Sequence, residues 1–298
     1  LTQLINDKKS QPSSTLLNTL KQLLDNNGDP ALVAEQLTLP SFHELVEQYK
    51  PINPIELVDA LERLKRFIAQ GLEQPLLACY QLLHNKAANA ATPTTGLSIG
   101  ERALKNLALS YLALLPEYHH LVANQFADSD NMTDTLGALQ SAASNHVPSF
   151  DSIMETFEQQ WQTTPLVMDK WFSLQASYQG NDMFERLEKL TAHTLFSLKN
   201  PNRARSLIGA FSHSNPRYFH CESGTGYQFL ADQICLLNNI NPQVASRLIT
   251  SLIQFKDFDE KRQQLMKGQL LRISTLPSLS KDLKEKLDAA LGTVEPSS

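Results

Sequence analysis

Valine and glycine are scarce in this chain of 298 residues. Eight valines stand against 49 leucines, and glycine occurs 11 times. A branched Cβ suits a pleated strand, whereas leucine suits a helix. No stretch alternates apolar and polar residues between turn signals, so a sandwich or barrel is not expected. Cysteine is thin as well. Cys79, Cys221 and Cys235 are odd in number and lack C-x-x-C spacing, which suits buried thiols better than a disulfide framework or a zinc site. They suit a reducing, cytoplasmic compartment. No apolar run approaches the roughly 18 residues of a membrane span. The 26 basic and 31 acidic residues leave a net charge of −5 without a dense basic block. Nucleic acid is therefore not an expected partner, because phosphate binding needs concentrated positive charge; neither is a membrane surface. The chain starts at Leu1 instead of Met, so it is expected to be part of a longer product, and the missing leader carries no message.

What is present is helical patterning. Leu57, Leu61, Leu64, Ile68 and Leu72 recur at spacings of three and four, as do Leu104, Leu107, Tyr111 and Leu115 before Pro116. Ser280 is placed to cap a helix carrying Leu283, Leu287 and Leu291, and Gly292 to end it. Residues 1–13 and 293–298 are polar ends expected to fray. Residues 14–292 are expected to form a single helical domain, with a possible sub-boundary at the small, polar loop NKAANAATPTTGLSIG, 85–100.

One phrase occurs twice. NPNRARSLI (200–208) returns after 41 residues as NPQVASRLI (241–249). Asparagine can accept from an unpaired amide, and proline at the first helical position gives up an N–H that has no partner there. Asn53-Pro54 and Asn215-Pro216 offer the same start. A period of about 41 residues falls in the HEAT and armadillo range. The expected fold is all-α: an α-solenoid, a HEAT- or armadillo-like superhelix of antiparallel helix pairs.

Chemistry is sparse. HELVE (43–47) imitates H-E-x-x-H, but the fourth step lands on Glu47 instead of a second imidazole, and no further ligand follows at helical spacing. A solvated helix start is the expected role. SGTGYQF (223–229) lacks the strand, the third glycine and the Lys-Ser/Thr of a phosphate loop, and reads as a turn opening a helix. His119-His120, His213 and His220 lack clustered Cys or acids, which implies surface or packing roles. Trp161 and Trp171 are expected to anchor helix packing. Each copy of the repeated phrase carries an arginine near its middle, Arg205 and Arg247, and Gln243 lies one helical turn before Arg247. On adjacent repeats, near helix starts, these groups suit a carboxylate or a peptide backbone.

NPNRARSLIGAF (200–211), FHCESGTGYQFLADQI (219–234), NPQVASRLI (241–249), DEKRQQLM (259–266) and LSKDLKEKLDAAL (279–291) resemble the C-terminal domain of the bacterial aminopeptidase N family, zinc exopeptidases of the alanyl aminopeptidase type. DNMTDTLGAL (130–139) and LVMDKWF (166–172) match the same domain, and the likeness thins before residue 130. It implies a helical superhelical domain that caps a separate catalytic domain of the same polypeptide and encloses a chamber admitting peptides. The family's zinc-binding helix and its G-x-M-E-N strand have no counterpart here, so the zinc cofactor is assigned to the catalytic domain and this chain alone is expected to be inactive. By motif position, Arg205, Gln243 and Arg247 are the implied substrate-binding residues, holding peptide beyond the scissile bond. The family implies preference for Ala, basic or bulky N-terminal residues. The alternatives are a free-standing helical-repeat adaptor and a self-sufficient enzyme built on HELVE.

Overall fold

A computed structural model describes residues 1–7, 10–25, 28–89 and 96–292 of the chain. It is 76% helical, with no strand among the described residues; one isolated bridge pairs Ile52 with Phe258. The helix starts follow the sequence. Asn200 Oδ1 accepts from the amides of Asn202 and Arg203 at 3.0 and 3.3 Å, and Asn241 Oδ1 accepts from Val244 at 3.2 Å. Asn53, Asp29, Asn131 and Asp259 cap in the same way. Ser98 and Glu101 complete a reciprocal capping box. Two expected starts differ. Ser280 occupies its cap position without a side-chain bond to the helix; its own amide donates instead to Asn238 Oδ1 at 3.0 Å. Asn215 sends its side-chain amide to the carbonyls of Ala176 and Tyr178. Gly292 has φ of +75°, a left-handed terminator that glycine adopts without a Cβ penalty.

The chain divides into two compact units. One comprises Leu1–Ser41 and Asp59–Gln160, the other Phe42–Val58 and Trp161–Ser298. These seams differ from the sub-boundary expected at 85–100. Helix Glu73–Ala88 runs through the first part of that stretch and helix Ile99–Leu112 begins before its end, while 90–95 lies outside the described residues. The expected tail 293–298 lies outside them too. The N-terminal segment, expected to fray, forms a short helix, Thr2–Asn6, whose Leu4 is buried and whose Leu4 carbonyl accepts from Arg63.

In the first unit, helix Ile99–Leu112 buries Leu104, Leu109 and Leu112. It stops short of Leu115, which begins a 3-10 turn at Pro116. The Tyr111 hydroxyl donates to the Leu37 carbonyl at 2.8 Å. Lys105 and Asp134 form a buried ion pair at 2.7 Å.

The second unit repeats on a period of about 40 residues, and its side-chain hydrogen bonds measure it. Asn215 reaches Ala176 and Ser251 reaches Ser212 across 39 residues. Arg272 reaches Asp232, Asn238 reaches Ser278 and Lys286 reaches Ser246 across 40. Corresponding segments of successive repeats therefore stack on one another, as the repeated phrase predicts. Trp171 is buried, edge-on to Phe172 at 4.9 Å, whereas Trp161 is only half-buried.

Candidate functional site

The repeated phrase carries three arginines with different roles. Arg203 is buried. Its Nε donates to Asp169 Oδ1 at 2.7 Å, its terminal nitrogens reach the carbonyls of Leu195 and Pro165, and its guanidinium lies 4.7 Å from the centre of the Phe172 ring. A guanidinium so completely occupied holds the fold. Arg205, two residues on, is exposed; it donates to the Pro201 carbonyl at 3.1 Å and to Asn202 Oδ1 at 2.6 Å. It opens a π-turn, Arg205–Gly209, a local widening of the helix often found at functional sites. Arg247 in the next repeat is exposed on helix Pro242–Leu248 and has no hydrogen-bond or ion-pair partner among the described residues.

Aligned on Asn-Pro, the two phrases place Arg205 opposite Ser246 and Arg247 opposite Ser206. The arginines are thus one helical step out of register. Both nevertheless line one cavity of about 620 Å³ within the second unit. Gln243 is exposed and is not among its lining residues. Of the three expected site residues, the structure brings two together.

The cavity's remaining walls come from elements whose sequence suggests other roles. Helix Phe42–Tyr49, which holds HELVE, is solvated on one face, with Glu44, Glu47 and Gln48 exposed, but it also has a buried one. Phe42, Leu45 and Val46 are buried, and His43, Glu44, Val46 and Glu47 line the cavity. The spacing of Phe42, Leu45, Val46 and Tyr49 was the available signal for a buried face. His43 Nε2 donates to the His213 carbonyl at 2.8 Å, and Glu47 pairs with Lys50 at 2.8 Å. Among the described residues no three His, Cys, Asp or Glu are grouped to hold a metal. One imidazole and one carboxylate fall short of the three or four protein ligands of a zinc site, and Glu47 is already paired with Lys50, so the HELVE pair does not fit zinc. His213 and His220 also line the cavity. Burial, followed by the charge of His43, lowers the pKa of His213. Burial takes His220 down to about 3, with His43 and Arg262 adding to the effect. Phe219, Leu248 and Phe258 supply apolar wall.

Charge is unevenly placed. Glu47 and Asp257 lie 2.8 and 3.6 Å from Lys50, which offsets them, and Glu44 is a further carboxylate of the wall; Arg205 and Arg247 form no ion pair among the described residues. Chemically, the two arginines can meet an anion or a carbonyl oxygen, and Phe219, Leu248 and Phe258 can meet apolar groups.

The glycines of SGTGYQF have geometric roles. Gly224 has φ of +76° at the start of helix Thr225–Ile240. At Gly226 a Cβ would stand 2.3 Å from the Phe219 carbonyl oxygen.

Comparison with known proteins adds three findings. A family described as a domain of unknown function (DUF3458_C) with ARM repeats matches residues 1–292. The chain is 43% identical over 272 residues to aminopeptidase N of Escherichia coli, covering 90% of this chain and 31% of that protein. It is 40% identical over 280 residues to aminopeptidase N of Haemophilus influenzae, covering 94% and 32%. A crystal structure of Legionella pneumophila aminopeptidase A in complex with aspartic acid superposes with a TM-score of 0.86 at 29% identity, over 98% of this chain and 35% of that one. The chain therefore spans about a third of the length of these relatives.

Proposed function

The chain belongs to the DUF3458_C family of ARM-repeat domains, and from that premise we propose that it is the non-catalytic C-terminal domain of a zinc metallo-aminopeptidase that releases N-terminal residues from peptides. Its work is to cap the catalytic domain, enclose the substrate chamber and hold the peptide beyond the scissile bond. One observation carries this reading: arginines from two successive repeats, Arg205 and Arg247, line a single cavity. Two planar cations at one site suit a peptide's terminal carboxylate or its carbonyl groups. Such contacts assist catalysis by orienting the substrate and supply no chemistry themselves. Gln243, exposed one turn before Arg247, serves a stretch of peptide outside the cavity. Zinc belongs to the remaining two-thirds of the polypeptide, and the chain alone is inactive. Three free cysteines suit a cytoplasmic enzyme. No helix among the described residues is long and apolar enough to cross a membrane.

The test uses the full-length protein containing this chain. Arg205→Ala and Arg247→Ala each lower kcat/KM for trialanine by about tenfold or more, the loss expected of a charge-assisted hydrogen bond. Cleavage of alanine p-nitroanilide, which has nothing beyond the scissile bond to hold, changes less than about twofold on the same argument. Equal effects on both substrates reject the grip.

A further inference from the structure

We propose that His220 is a further recognition residue of this cavity: its Nε2–H donates to an oxygen of the peptide held by Arg205 and Arg247, and Tyr227 fixes the tautomer that makes this possible. The inference deepens the peptide-holding reading and rests on it.

His220 is 3% exposed, yet it is among the residues that line the cavity. Its Nδ1 lies 2.8 Å from the Tyr227 hydroxyl. Tyr227 is fully buried, and His220 is the partner of its hydroxyl among the described residues. Two arrangements are conceivable. If Nδ1 carried the hydrogen and donated, the phenolic hydrogen would be buried without an acceptor, which leaves a desolvated donor uncompensated. If the phenol donates to Nδ1, both groups are satisfied and the ring hydrogen resides on Nε2. The second arrangement is the one the burial selects.

Nε2–H, on the opposite flank of the ring, then needs an acceptor. The rings around His220 offer none: Phe42, Phe219 and Phe258 have centroids 5.5, 4.8 and 4.4 Å from that of the imidazole. Arg262 approaches from helix Glu260–Ser274, but its Nε donates to the His220 main-chain oxygen at 3.4 Å. No hydrogen bond to Nε2 is made among the described residues. The cavity is where its acceptor can come from. Burial, with coulombic repulsion from the side of His43 and Arg262 adding to it, opposes a second proton on the ring, so the group remains a one-donor imidazole across the neutral range. A donor of that kind suits a main-chain carbonyl or a terminal carboxylate equally, and leaves the choice of anion to the arginines.

The full-length protein carries the test, with trialanine and alanine p-nitroanilide as substrates. His220→Phe removes the donor; His220→Gln restores an N–H close to Nε2. His220→Phe is expected to raise KM for trialanine at least fivefold with the anilide unchanged, and His220→Gln to recover most of that loss. An unchanged trialanine KM in His220→Phe, or equal changes for both substrates, overturns the proposal. Should His220→Phe fail to fold, 15N-histidine NMR of the unsubstituted protein decides. A protonated Nε2 whose resonance moves with saturating trialanine supports the role. A hydrogen on Nδ1, or an unmoved resonance, ends it. The arginine variants separate the two readings. If Arg205→Ala and Arg247→Ala impair peptide cleavage while His220 proves silent, only this inference fails; if His220 responds and the arginines do not, the arginine grip fails.

Discussion

His43 and His213 lie 170 residues apart in the chain, yet His43 Nε2 bonds the His213 carbonyl at 2.8 Å and the two imidazoles stack with centroids 3.9 Å apart and planes 11° apart. A parallel stack is comfortable for neutral rings and costly once both carry charge. With His220, three histidines line the cavity that Arg205 and Arg247 also line.

That arrangement makes stability depend on pH. The folded pKa values of His213 and His220 lie below the unfolded value, so between the two the unfolded chain binds more protons. Stability is complete above about pH 6.5 and falls as pH drops toward the folded values. His220, held at about 3, alone accounts for about 2 kcal/mol lost by pH 5. Urea denaturation at pH 7.5 and pH 5 measures this. His220→Gln is expected to shrink the difference by a corresponding amount; an undiminished difference assigns the effect elsewhere.

Lys105 and Asp134 are paired at 2.7 Å with side chains only 3% and 4% exposed, and Asn106 and Asn131 also donate to the carboxylate. Removing one partner strands the other in the core. Lys105→Met should cost about 3–5 kcal/mol, and Lys105→Met with Asp134→Leu should recover at least half of it. Denaturation midpoints of the single and double variants provide the comparison; a double variant no better than the single contradicts the stranded-charge explanation.

Gly226 and Gly209 make opposite predictions for the same substitution. At Gly226 an added methyl would meet the Phe219 carbonyl oxygen at 2.3 Å and its Cα at 2.6 Å, backbone atoms with little freedom to yield. Gly226→Ala should destabilise by about 1–3 kcal/mol. At Gly209 the nearest atom is Leu248 Cδ2 at 3.4 Å, so Gly209→Ala should be neutral or stabilise by up to about 1 kcal/mol. Thermal unfolding of the two variants reads the contrast directly.

Arg203 and Arg205 are two residues apart and should differ as sharply. Arg203→Lys loses the fork that reaches Asp169 and two carbonyls, and should cost about 2 kcal/mol. Arg205→Lys, on an exposed surface, should leave stability within about 0.5 kcal/mol. Comparable losses at both positions contradict the division of roles.

Among the described residues, the sequence by itself determined the all-helical character, most helix starts and the 40-residue period. Each rests on interactions spanning about four residues or on a pattern read along the chain: an Asn or Asp side chain reaching its own helix's amides, a proline without an N–H, apolar residues one turn apart. Even these local rules met exceptions: the Ser280 side chain makes no cap bond although its amide is held by Asn238, and the side chain of Asn215 goes to the Ala176 and Tyr178 carbonyls instead. Only the tertiary structure decided which arginine is buried, that Arg205 and Arg247 meet one cavity although they are out of register, and that His43, His213 and His220 gather beside them. Those outcomes depend on groups tens to 170 residues apart, and no local propensity encodes a distance set by how separate helices pack.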